Sequence, residues 1–295
     1  MIRLAVRCRP ALADRVLADL LELVPGGVEE VGEVSGMYEY AIYGLPGELP
    51  AMPSLEAGVG EGTVEISSTE IPDDWADRWR DFHEAISIAD GRLVVRPSWE
   101  PNPATNPGSP GGEAGEASSI VSGKVSGIDV VIDPGQAFGT GAHATTRLCL
   151  EFLLELADAS EASGPLADLG TGSGVLAIAA AKLGWSPVSG YDSEIASVEA
   201  AAANAAANGV EMMVERRNLR ERPAPGVPTV VANLTAPLLE AMAERLESPP
   251  ATLVCSGLLA NEIERVSTAL ERVGLTVVDQ RTLGDWASLQ ARSGA

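Results

Sequence analysis

Apolar and polar positions alternate from the start of the chain: Ile2, Leu4, Val6 and Cys8 fall on one side of an extended segment. Leu12, Val16, Leu20 and Leu23 then recur at helical spacing, until Pro25-Gly26-Gly27 ends the helix. Two more strand patterns follow at 28–34 and 37–43, parted by Ser35-Gly36. A weakly marked helix holding Pro50 and Pro53 comes next, and then Thr63-Val64-Glu65-Ile66 as a strand. The order βαββαβ predicts a small ferredoxin-like α+β domain over residues 1–68.

The pattern changes over 69–127. Pro72 followed by Asp73 and Asp74 opens a helix whose Trp75, Trp79 and His83 share one face. That face is expected to pack the helix onto a domain. After a strand, residues 101–127 are dominated by Pro, Gly, Ser, Ala and Asn and have little to bury, so they are expected to form a flexible insertion.

Residues 128–295 alternate strands with helices, the pattern of a doubly wound, Rossmann-like α/β domain. Leu166 to Leu169 is a short apolar strand, Gly170-Thr171-Gly172-Ser173-Gly174 a glycine loop, and Val175 to Leu183 a helix. Asp192 closes the next strand, 18 residues after Gly174. A carboxylate there can accept hydrogen bonds from both hydroxyls of a ribose. In a dinucleotide site the third glycine follows the second by three residues, and Val175 stands at that place. Gly170, Gly172 and Gly174 instead have G-x-G-x-G spacing, which fits S-adenosyl-L-methionine, a nucleoside without phosphate. Asp168, at the acidic end of the first strand, suits its sulfonium charge. A nucleotide-binding oxidoreductase of Rossmann type is the competing assignment.

An alanine-rich helix, 194–207, ends at Asn208-Gly209, and its alanines are expected to pack close to the sheet. The strand 228–232 leads into Asn233-Leu234-Thr235-Ala236. Asn233 therefore falls in the crevice where ligands bind in open α/β sheets. Its side-chain oxygen and the Leu234 carbonyl are both placed to accept N–H bonds from an amine, which makes Asn233 and Leu234 the candidate catalytic positions. The alternative is that Asn233 only caps the following helix. Upstream, the polar, glycine-rich stretch 133–146 precedes another helix and is expected to cover the cofactor. His143 within it is expected to make a structural hydrogen bond rather than to move protons.

Composition narrows the picture. With 45% hydrophobic and 4% aromatic residues the 295-residue chain builds its core from Ala, Val and Leu. No apolar run reaches the ~20 residues of a membrane span. Cys8, Cys149 and Cys255 lie far apart in apolar segments and only two histidines are present, which argues against disulfides and a zinc site and for a cytoplasmic protein. A formal charge of −22 argues against direct nucleic-acid binding and suits a basic protein partner.

The segments DPGQAFGTGAHATT, DLGTGSGVLAIAAAKLG, VVANLTAPLL and LVCSGLLANEIERV, in this order and spacing, resemble the PrmA family, the methyltransferases of ribosomal protein L11. DDWADRWRDFHE and GRLVVRPSWE are similar to its linker, and residues 1–68 to its substrate-recognition domain. The resemblance implies N-methylation, up to trimethylation, of lysine side chains and the N-terminal amine of that ribosomal protein. It implies cofactor contacts at Thr146, Gly170, Asp192 and Asn233. The chain departs from the family at Ala144, where Pro is usual, at Thr171, where Cys is usual, and at Ser193-Glu194-Ile195. Thr235, beside the acceptor position, replaces an apolar residue. Two other functions compete: methylation of another protein or a small amine, and a non-catalytic binding module with a vestigial α/β domain.

Overall fold

The computed structural model describes residues 2–23, 28–44, 64–70, 84–101, 119–121, 124–133 and 141–294. The chain divides into two compact units, Met1–Phe82 and His83–Ala295.

In the first unit, β1 (Ile2–Cys8), β2 (Glu29–Val34), β3 (Met37–Gly44) and β4 (Val64–Glu70) form an antiparallel sheet of order β2-β3-β1-β4. Helix α1 (Ala13–Leu23) crosses between β1 and β2. This is the strand order of a split βαβ sandwich. The alternation foreseen in β1 takes effect here. Leu4, Val6 and Cys8 pair across the sheet with Ile42, Tyr40 and Tyr38, and Val16, Leu17 and Leu20 of α1 are buried. On the other side Arg3 and Arg7 both pair with the buried Glu39. The expected second helix, the cluster Trp75, Trp79 and His83, and most of the expected flexible insertion lie outside the described residues.

The second unit opens with β5 (Ile86–Ile88), β6 (Leu93–Arg96) and β9 (Ile128–Val131) in one small sheet. Between β6 and β9, β7 (Ser119–Val121) and β8 (Lys124–Ser126) pair as an antiparallel hairpin. The C-terminal end of the stretch expected to be flexible thus carries a hairpin, because Ile120, Val121 and Val125 supply β-branched residues on either side of Ser122-Gly123.

The main sheet contains β10 (Leu166–Leu169), β11 (Val188–Asp192), β12 (Met212–Arg216), β13 (Thr229–Asn233), β14 (Thr252–Leu259), β15 (Leu275–Leu283) and β16 (Trp286–Ser293). Their order is β12-β11-β10-β13-β14-β16-β15. The first five strands are parallel, and β16 is antiparallel to both of its neighbours. Helices α2 (Ala144–Asp158), α3 (Val175–Leu183), α4 (Ile195–Ala207), α5 (Ala236–Ala243) and α6 (Ile263–Arg272) complete the unit. A sheet with helices on both faces needs strands that are apolar on both sides. In β13, Val231 joins the core built with α2 and α3, while Val230 and Ala232 join the core built with α5 and α6. Strand order reverses between β10 and β13, so the loops leaving those two strands flank the crevice where open α/β sheets bind ligands. No helix among the described residues is long and apolar enough to cross a membrane.

Candidate active site

The glycine loop joins β10 to α3. Gly170 has φ +76°, and a Cβ there would lie 2.3 Å from Leu234 Cδ2, so only glycine lets the loop pass over the end of β13. The loop is closed by its own hydrogen bonds. The N–H groups of Gly170 and Thr171 donate to the Tyr191 carbonyl at 2.8 and 2.9 Å, and that of Gly174 to the Thr171 carbonyl at 2.7 Å. Gly172 N–H donates to Asp192 Oδ2 at 3.0 Å. Four N–H groups of the loop are therefore committed inside the protein.

Asp192 is half-buried at the end of β11. Its Oδ1 accepts from Glu194 N–H at 3.0 Å while Oδ2 accepts from Gly172. A carboxylate offers about four lone-pair sites, so each oxygen keeps one for a ribose hydroxyl. The strand end is held by Arg217, whose N–H donates to the Asp192 carbonyl at 2.6 Å and whose guanidinium lies 4.6 Å from the centre of the Tyr191 ring.

Asn233 ends β13, directly beside the glycine loop. Its Nδ2 donates to Thr146 Oγ1 at 3.3 Å, which brings together two expected site residues 87 positions apart. The Thr146 side chain is 0% exposed, so its part in the site runs through Asn233. Helix α5 is capped at Thr235 and not at Asn233, which removes the capping alternative for the asparagine. The half-buried Thr235 makes no side-chain cap bond. Leu234 packs its side chain under Gly170, and its N–H donates to the Ser256 carbonyl at 2.9 Å.

One expectation is corrected by the geometry. Asp168 is 0% exposed and cannot face a ligand. It lies behind the glycine loop, where Oδ2 accepts from Thr171 Oγ1 at 2.8 Å and from Ala177 N–H at 3.2 Å. Thr171, at a position where the family resemblance expects Cys, thereby fastens the loop to β10. The alanine-rich helix α4 buries Ala201 and Ala205 as expected, and its Asn204 and C-cap Asn208 hold other parts of the domain. His143 behaves as expected. It is the N-cap of α2, with Nδ1 2.7 Å from Thr145 Oγ1 and its ring edge-on to Trp286 at 4.8 Å. Burial pushes its imidazole down to about 4, so it is neutral at pH 7.

One further residue at the site was not foreseen. Gly257 sits at a bulge in β14 with φ +88°, and a Cβ there would lie 2.4 Å from the Leu234 carbonyl oxygen. It allows β14 to press against the backbone that follows Asn233. The only trace of this in the sequence is a lone glycine inside an apolar strand, Leu253-Val254-Cys255-Ser256-Gly257-Leu258.

Burial pushes the Asp168 carboxyl up to about 7, partly offset by its bonds from Thr171 and Ala177. Between about pH 4 and pH 7 the folded chain keeps a proton that the unfolded chain has released, so this group lowers stability as pH rises. Asp168→Asn should remove that slope, a difference on the order of 4 kcal/mol at most over the whole window. The check is denaturant unfolding of both proteins from pH 5 to pH 8. Parallel curves would mean that Asp168 does not titrate in that range.

A doubly wound sheet with one antiparallel strand near its edge, a G-x-G-x-G loop leaving β10 and a carboxylate at the end of the neighbouring β11 form the architecture of an S-adenosylmethionine-dependent methyltransferase. The family model "Ribosomal protein L11 methyltransferase (PrmA)" matches residues 51–294. A ribosomal protein L11 methyltransferase of Bacillus cereus strain G9842 is 32% identical over 257 residues, 85% of this chain and 75% of the relative. The Bacillus anthracis strain A0248 protein of the same name gives the same figures. The crystal structure of a ribosomal protein L11 methylase from Lactobacillus delbrueckii subsp. bulgaricus aligns with a TM-score of 0.56 at 26% identity, over 72% of this chain and all of that one. The chain belongs to the PrmA family.

Proposed function

We propose that this enzyme methylates amines of ribosomal protein L11, namely lysine side chains and the N-terminal amine, in the cytoplasm and without direct contact to nucleic acid or membrane. The observation that carries the reading is the anchoring of Asn233 through Nδ2 by the buried Thr146. Its Oδ1 is left to accept an N–H from an acceptor amine in the crevice beside the glycine loop.

The cofactor supplies an electrophilic methyl group on a sulfonium. Asp192 holds its ribose, and Gly170, Gly172 and Gly174 shape the backbone against it. The acceptor needs a free lone pair. A lysine of pKa about 10.4 is neutral to roughly one part in 10³ at pH 7. Burial next to a sulfonium lowers that pKa, so the protein needs to supply orientation and exclusion of water more than a base. Neutral, half-buried His143 fits this reading, because it is already committed as a helix cap. Repeated methylation requires the amine to rotate, which suits a pocket with few fixed donors in which Asn233 Oδ1 and the Leu234 carbonyl accept its N–H groups.

Mass spectrometry of ribosomal proteins incubated with the enzyme and labelled cofactor tests the assignment. Label confined to L11 is expected; label on another protein, or on small amines alone, would replace L11 as the substrate. Asp192→Ala should weaken cofactor binding by about tenfold or more, because charge-assisted hydrogen bonds contribute about 1.5–3 kcal/mol. Calorimetry that finds unchanged affinity would remove Asp192 from the site.

A further inference from the structure

Helix α4 carries Asn204, and its C-cap is Asn208 one turn later, on the side of the helix that holds the buried Ala201 and Ala205. An asparagine buried in an alanine-rich helix must find partners for both ends of its amide. Asn204, 4% exposed, finds them in two different parts of the domain. Its Nδ2 donates to the Ser173 carbonyl in the glycine loop at 2.8 Å. Its Oδ1 accepts from the N–H of Asp133, just beyond β9, at 3.1 Å. Asn208 bonds to β9, accepting from Val131 N–H at 2.9 Å and donating to the Val131 carbonyl at 2.6 Å, and it also donates to the Asn204 carbonyl at 2.8 Å, without a bond of its own to the glycine loop.

β9 is an edge strand, and the two amides take the place of a further strand along its open side. Only Asn204 extends that arrangement to the glycine loop. Ser173 stands between Gly172, whose N–H holds Asp192, and Gly174, which caps α3. The ordering of Ser173 is thus transmitted directly to the carboxylate and loop that face the ribose. We propose that Asn204 is a positioning residue for the cofactor pocket, acting through the Ser173 carbonyl, whereas Asn208 is a structural partner of β9. The inference rests on the reading that the glycine loop and Asp192 hold the cofactor.

The test compares Asn204→Ala, the isosteric Asn204→Asp, Asn208→Ala and Asp192→Ala in the full chain. S-adenosylhomocysteine binding is measured by calorimetry and the melting temperature by heat unfolding. Asn204→Asp keeps the acceptor for Asp133 N–H and loses the donor to Ser173, so it isolates the link to the loop. Both Asn204 variants are expected to weaken S-adenosylhomocysteine binding about tenfold. Asn208→Ala is expected to lower the melting temperature as much as Asn204→Ala while leaving affinity within about twofold. Affinity unchanged in either Asn204 variant, or lost in Asn208→Ala in proportion to its melting temperature, overturns the proposal. If Asp192→Ala also binds normally, the cofactor-site reading itself fails. If Asp192→Ala alone loses affinity, only the role of Asn204 falls.

Discussion

Asn233→Ala is expected to lower turnover by roughly 10²- to 10³-fold, the scale seen when one preorganised polar group at a reacting centre is removed. Cofactor affinity should fall by much less, about tenfold at most, because Asp192 and the glycine loop remain. The fold should tolerate the change. The substitution removes one hydrogen bond, to Thr146 at 3.3 Å, from a residue that does not cap α5. Single-turnover kinetics at saturating cofactor separates the two effects. Full turnover in the variant would show that the acceptor amine is oriented elsewhere, and a loss confined to cofactor affinity would make Asn233 a cofactor ligand only. Leu234 gives a contrasting case: its side chain fills the space under Gly170, so Leu234→Ala should loosen the loop and affect affinity first.

What was legible in the sequence was whatever local chemistry dictates. The alternation of Ile2, Leu4, Val6 and Cys8 and the following helical stripe carried the sandwich, whose strand order follows from its connections. Glycine spacing carried the turn after β10 and placed Asp192 beside it, because backbone turns and strand ends are set within a few residues. What stayed hidden depends on which way a side chain points in three dimensions. Asp168 at a strand end reads equally well as a ligand contact or as a buried brace, and the Thr171 and Ala177 bonds decide for the brace. Asn208 reads as part of a helix stop and Asn204 carries no signal within an alanine helix, and only the proximity of β9 and Ser173 turns them into clamps. Gly257 is silent for a similar reason. Its need for a missing Cβ comes from Leu234, a residue on another strand end.

A chain beginning at Ile71 is expected to bind cofactor normally and to lose methylation of ribosomal protein L11 by orders of magnitude. The proposed cofactor residues Gly170, Gly172, Gly174, Asp192 and Asn233 all lie in the unit His83–Ala295, which has a core on each face of the main sheet. The first unit contributes no cofactor motif, yet it has a complete four-stranded sheet with its own buried residues from β1, α1 and β3. A unit maintained without cofactor chemistry is expected to supply binding energy to a part of the substrate remote from the reacting amine. Such energy supports positioning as well as affinity, so its loss should lower kcat/KM for the protein substrate. A short lysine peptide, which cannot reach that surface, should be methylated equally and poorly by both forms. Calorimetry with S-adenosylhomocysteine and mass spectrometry of L11 on the same shortened protein give the answer. If L11 is methylated at full rate, recognition resides in the catalytic unit. If cofactor affinity falls as well, the two units are not separable in the way their independent cores imply.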